Sequence, residues 1–102
     1  MKAIAVLTSG GDAPGMNAGI RATVRTALTS GLSVFGVRRG YQGLIENDLI
    51  PLVSTDVSNI LQRGGTILHS ARSEEFRTEK GRLKAAQNLD KRKIDGLVVF
   101  GG

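Results

Sequence analysis

Val6-Leu7-Thr8-Ser9-Gly10-Gly11-Asp12-Ala13-Pro14-Gly15-Met16-Asn17 passes from a short apolar segment through paired glycines, an acid and a proline into a helical pattern. That order describes a phosphate-binding turn. Without Cβ atoms, Gly10 and Gly11 let an anion reach the main chain. Pro14 suits the first turn of a helix, whose N-terminal amides have no intrahelical partner and point at such an anion. Nucleotide chemistry is the leading reading of these residues.

Other phosphate loops place their glycines differently. Gly10 and Gly15 imitate the start of a Walker A loop, but Met16 and Asn17 stand where that loop needs Lys and Ser or Thr. The dinucleotide pattern GxGxxG fails as well. The glycines fall at 10, 11, 15 and 19, and no acid closes a second strand near position 38.

Outward from this stretch, strand-like and helix-like segments alternate. Residues 3–7 read as a strand, 16–29 as a helix and 33–37 as a second strand, with Gly31 as the helix stop. Met16, Ile20, Val24, Ala27 and Leu28 recur at helical spacing and cover one face of a sheet, while Arg21 and Arg25 share another. The region 38–52 reads as irregular, because Gly40, Gly43, Asn47, Asp48 and Pro51 interrupt any period. A short helix is predicted over 56–62, capped by Ser54 or Thr55, then the pair Gly64-Gly65 and a segment over 66–73. A longer helix is predicted over 78–92 with Leu83, Ala86 and Leu89 facing inward, feeding a strand over 96–100. The fold class is therefore α/β: an open, mostly parallel sheet with helices on both faces, a Rossmann-like or flavodoxin-like three-layer lobe.

A length of 102 residues encloses one modest core, and a composition of 40% hydrophobic and 23% charged residues is ordinary for a globular domain. There is no cysteine, and the one histidine cannot build a zinc cluster. The apolar run at the N-terminus is too short for a signal peptide core or a membrane span, so a cytoplasmic protein without a membrane partner is expected. The net charge of +5 is spread along the chain and aromatics make up only 4%, which argues against a nucleic-acid partner. Lys91-Arg92-Lys93 stands where a helix ends and complements its dipole.

The end of the sequence echoes its beginning: an apolar strand followed by Gly101-Gly102 repeats an apolar strand followed by Gly10-Gly11. In an open α/β sheet, ligands bind beyond the carboxyl ends of the strands, where both corners could face one phosphate chain. A domain rarely stops where its strand reaches a ligand site. Residues 1–102 are thus expected to be the N-terminal part of a larger α/β domain, with no second domain present.

These residues resemble the bacterial-type 6-phosphofructokinase family across essentially the whole chain. The matching words are residues 7–17, Gly40-Tyr41-Gln42-Gly43-Leu44, Arg63-Gly64-Gly65-Thr66, Ser70-Ala71-Arg72 and Gly101-Gly102. The resemblance implies phosphorylation of fructose 6-phosphate by ATP and magnesium, within a homotetramer under control by ADP or phosphoenolpyruvate. It makes Gly11 a main-chain donor to the ATP phosphates, puts Tyr41 beside the nucleotide, and has Arg72 and Ser73 complete that wall. Arg72 is the catalytic candidate, since a guanidinium can bridge oxygens that gain charge during phosphoryl transfer. Gly102 resembles the start of a second phosphate corner. The family's next residue, an aspartate that organises magnesium, and its general base have no counterpart here, so no metal ligand or base is assigned.

The resemblance also gives Arg21 and Arg25 the phosphates of an effector, helped by Ser54, Ser58 and Asn59. Several members carry a basic residue where Ser54 stands, and many an acid where Asn59 stands. Taken alone, Arg21 and Arg25 read as a solvated helix face, Asp12 as a helix cap and His69 as a loop residue without a role. Two other functions fit the same turn: a non-catalytic flavodoxin-like binding module, and a kinase that uses pyrophosphate in place of ATP.

Overall fold

The computed structural model describes residues 2–9, 14–53 and 73–101, and of residues 14–16 the backbone alone. β1 (Ala3–Ser9), α1 (Pro14–Thr29) and β2 (Ser33–Val37) form the βαβ unit that the apolar spacing predicts. The strands are parallel, from Ala3 opposite Ser33 to Val6 opposite Gly36. α1 starts at Pro14, and the chain leaves it through Gly31, whose φ of 82° lies in the left-handed region. Leu32 then donates its N–H to Ala27 O, which turns the chain back towards the sheet.

The stretch 38–52, predicted to be irregular, contains α2 (Gly40–Glu46) and β3 (Leu49–Leu52). Apart from Gly43, which lies inside α2, the residues that break the sequence period sit at a boundary or an edge. Arg39 and Gly40, with φ of 61° and 60°, swing the chain from β2 into α2. Asn47, with φ of 59°, ends α2, and Asp48 N–H donates to Gly43 O at 2.8 Å. Pro51 lies in β3, which pairs antiparallel with β2 at the edge of the sheet, where a missing N–H is tolerated. Gly43 is required by packing: a Cβ there would lie 1.7 Å from Arg38 O.

A 3-10 helix (Glu75–Arg77) and α3 (Glu79–Lys91) lead into β4 (Gly96–Gly101), which pairs in parallel with β1. Thr78 caps α3 by accepting the N–H of Gly81 at 3.0 Å. The inward face of α3 agrees with the predicted one only at Leu89, which packs half-buried against the core. Leu83 is 58% exposed and Ala86 is exposed, whereas Gly81, Ala85 and Asn88 are buried. These three repeat at helical spacing, and Gly81 lets α3 meet the 3-10 helix, since a Cβ there would lie 1.9 Å from Glu75 O. Asn88 Nδ2 donates to Leu44 O at 2.7 Å and Ile45 O at 3.0 Å, pinning the last turn of α2.

The sheet order is β3-β2-β1-β4, with two of its three pairings parallel. Side chains alternate across β1, so its two faces enter different cores. Ile4 and Val6 pack with Ile20, Val24 and Ala27 of α1, and Val34 and Leu52 join them. Ala5 and Leu7 pack with Val37, Leu44, Ile45, Leu49 and Ala85 beneath α2 and α3. The result is the expected three-layer α/β arrangement. No helix among the described residues is long and apolar enough to cross a membrane. The short helix expected over 56–62 lies outside the described residues.

Candidate functional site

From β1 the chain crosses through α1 to β2 on one side, while β4 lies against β1 on the other. The direction of winding therefore reverses between β1 and β4, and their carboxyl ends frame the crevice where open α/β sheets bind ligands. The register places Ser9 directly opposite Gly101. The residues that enter the two glycine corners are thus neighbours, as the echo between the ends of the sequence requires. Gly101 has φ of 115°, a backbone conformation that L side chains rarely adopt. α1 opens at this edge with no acid in its first turn, so its N-terminal amides keep their positive end. Gly11, Gly102 and Asp12 lie outside the described residues.

At the carboxyl end of β2, the left-handed turn at Arg39 and Gly40 brings Tyr41 into the first turn of α2. Its half-buried ring stacks on Phe76 of the 3-10 helix, with centroids 4.2 Å apart and planes 18° from parallel. Ser73 belongs to the same cluster. Its Oγ donates to Gln42 Oε1 at 2.7 Å and accepts the N–H of Phe76 at 3.1 Å. The structure so brings together Tyr41 and Ser73, two members of the wall implied by the resemblance; Arg72 lies outside the described residues. Phe76 and Gln42 were not singled out for the site. Gln42 stood inside a word read for its glycines and for Tyr41, and Phe76 follows Ser73 by a short 3-10 turn that leaves no periodic trace.

Charged partners support this cluster from beneath. Glu46 accepts from Gln42 Nε2 at 2.8 Å and from Arg39 Nη2 at 2.6 Å, and Arg39 also reaches Asp48 at 3.1 Å. The hydrogen bond from Gln42, then that from Arg39, holds the Glu46 carboxyl below the usual range, and the bonds to Glu46 and Asp48 raise Arg39. Among the described residues no group of three metal-ligating side chains occurs.

Arg21 and Arg25 are brought together on the face of α1 opposite Ile20, Val24 and Ala27. With Ala18 and Ala22 they line an open depression of about 320 Å³. Arg21 Nε is buried and has no hydrogen-bond partner among the described residues. Ser54, Ser58 and Asn59 lie outside the described residues.

An open, doubly wound sheet whose β1 and β4 end side by side at its switch point defines the class: an α/β lobe with the crevice in which such sheets bind ligands. Within that class, the family model described as Phosphofructokinase matches residues 3–102, and the chain belongs to that family. It is 64% identical over 102 residues to an ATP-dependent 6-phosphofructokinase of Clostridium botulinum and 61% identical to one of Thermotoga neapolitana, covering all of this chain and 32% of each relative. The chain thus spans about a third of the length of these curated relatives. Among solved structures it is similar to phosphofructokinase from Saccharomyces cerevisiae, at 50% identity and a TM-score of 0.93 over 97% of this chain and 14% of that one.

Proposed function

We propose that the protein carrying this chain phosphorylates fructose 6-phosphate with Mg–ATP, and that residues 1–102 form the N-terminal, nucleotide-binding part of its catalytic domain. The observation that carries this reading is the register of Ser9 against Gly101 at the switch point, in a chain of the phosphofructokinase family. Two corners then converge on one phosphate chain. Gly11 and Gly102 supply main-chain N–H groups to it, and the first turn of α1 adds its dipole.

In this reading Arg72 spans the oxygens that gain charge as the phosphoryl group moves, and Ser73 and Tyr41 close the nucleotide side. The stacked Tyr41 and Phe76 favour ATP over pyrophosphate, because an aromatic surface suits a base and offers nothing to a bare pyrophosphate. Magnesium enters as part of the Mg–ATP substrate. The general base and the groups that hold the sugar phosphate belong to the remainder of the full-length enzyme. This chain on its own is therefore expected to be inactive.

A second site completes the proposal. Arg21 and Arg25 take the phosphates of ADP or phosphoenolpyruvate, with Ser54, Ser58 and Asn59 beside them, in a cytoplasmic homotetramer. Its support is the open depression on α1 that Arg21 and Arg25 line, with an Arg21 Nε that has no partner among the described residues. The test of the catalytic reading is Gly11→Val in the full-length enzyme. A side chain there fills the anion's place, so ATP binding measured by calorimetry should be lost, and unchanged affinity would reject the phosphate turn.

A further inference from the structure

The Ser73 contacts assign a role to a side chain that no reading of the site has yet used. Four residues are linked in sequence: Arg39 Nη2 to Glu46 Oε1 at 2.6 Å, Gln42 Nε2 to Glu46 Oε2 at 2.8 Å, and Ser73 Oγ to Gln42 Oε1 at 2.7 Å. The direction of every bond follows from chemistry. An ionised carboxylate only accepts, so Glu46 turns the amide nitrogen of Gln42 towards itself and leaves Oε1 facing Ser73. Oε1 has no proton, so the Ser73 hydroxyl must donate. Ser73 Oγ then accepts the N–H of Phe76 at 3.1 Å, which fixes the start of the 3-10 helix and sets Phe76 against Tyr41.

We infer that Gln42 is a positioning residue for the nucleotide wall: held by Glu46, it locks Ser73 and, through Ser73, the Phe76 ring that backs Tyr41. The inference rests on the placement of ATP against Tyr41 and Ser73 proposed above. It has a further consequence for Ser73. With its proton committed to Gln42, that hydroxyl cannot donate to a nucleotide, so its part in the wall is to hold residues 73–76 in place rather than to bind phosphate.

The test is a set of variants of the full-length enzyme, assayed for kcat and for the KM of ATP and of fructose 6-phosphate, with thermal unfolding alongside. Gln42→Met keeps the length of the side chain and removes both bonds. It should raise the KM for ATP roughly fivefold, the factor of one lost hydrogen bond, and move the KM for the sugar phosphate far less. In the background of Ser73→Ala, the same change should add nothing further, because Gln42 acts through Ser73. The exchange Q42E/E46Q reverses the donor and acceptor between the two side chains while preserving net charge and the acceptor for Ser73. It should return the KM for ATP to within about twofold of the parent, a recovery that a purely structural defect does not show.

Three results would overturn the inference alone: an unchanged KM for ATP in Gln42→Met when Ser73→Ala raises it, effects of the two substitutions that multiply, or no recovery in the exchange variant. If Gln42→Met does not fold, the exchange variant decides. If Ser73→Ala leaves ATP binding untouched, the nucleotide wall is misplaced and the inference falls with it.

Discussion

Gly43 shows how much a single position constrains this fold. A Cβ at this position would run into the carbonyl of Arg38, so the turn from β2 into α2 leaves no room for a side chain there. A methyl group at 1.7 Å from a backbone oxygen cannot be relieved by a side-chain movement. Gly43→Ala should therefore lower stability by about 2–3 kcal/mol, the upper range for overpacking, read as a drop in the thermal midpoint of the full-length protein. A midpoint equal to that of the parent would show that the turn at Arg38 relaxes freely. At this scale the sequence was legible in kind but not in purpose. Gly40, Gly43, Asn47 and Pro51 were visible as breakers, yet nothing local distinguishes breakers that make a loop from breakers that bound a short helix and an edge strand. Only the contact with Arg38 O and the pairing with β2 separate the two.

Among the elements, α1 was the most readable, because Ile20, Val24 and Ala27 mark its core face at unbroken helical spacing. α3 was misread for a physical reason. Leu83 is one of its two leucines, yet the helix packs through Gly81, which meets Glu75 of the 3-10 helix, and Asn88, which binds carbonyls of α2, so closeness and an amide replace hydrophobic bulk. The repeat of Gly81, Ala85 and Asn88 carried the signal, but a hydrophobicity pattern does not count Gly and Asn. The wall around Tyr41 was legible only through family resemblance, since its geometry depends on a 3-10 turn. α1 also supplies the element-level prediction. Its outer face holds Arg25 and Arg21, whose buried Nε has no partner among the described residues. Arg21→Ala in the full-length enzyme should weaken activation or inhibition by a phosphorylated effector about tenfold while leaving turnover without effector intact, as loss of a charge-assisted bond implies. An unaltered effector response in a dose titration would return the pair to a solvated helix face.

For the molecule as a whole, the sheet joins distant parts of the sequence, and Asp95 shows how. Its Oδ2 accepts the N–H of Lys2 at 2.6 Å and of Ala3 at 3.1 Å, and its own N–H donates to Ala3 O at 2.8 Å. The entry to β4 is thereby clamped to the entry of β1. The bond from Lys2, then that from Ala3, holds the Asp95 carboxyl below its ordinary value of 3.8. A depressed folded pKa means that this contribution is complete above the unfolded value and is lost as pH falls through the folded one. A carboxyl titration by NMR should place the Asp95 midpoint below 3.8, and a midpoint at or above that value would contradict the clamp. On the far side, Leu97 and Val99 of β4 are 38% and 39% exposed on the face opposite α1. Among the described strands, β4 forms the second edge of the sheet.

Residue, element and sheet meet at the switch point, where the register of Ser9 with Gly101 brings the ends of β1 and β4 side by side. The measurement that tests this most directly is a crystal structure of the full-length protein with magnesium and a non-hydrolysable ATP analogue. The triphosphate should lie between the amides around Gly11 and Gly102, with its base on the side of Tyr41. A nucleotide bound elsewhere, with that crevice filled only by water, would contradict the account.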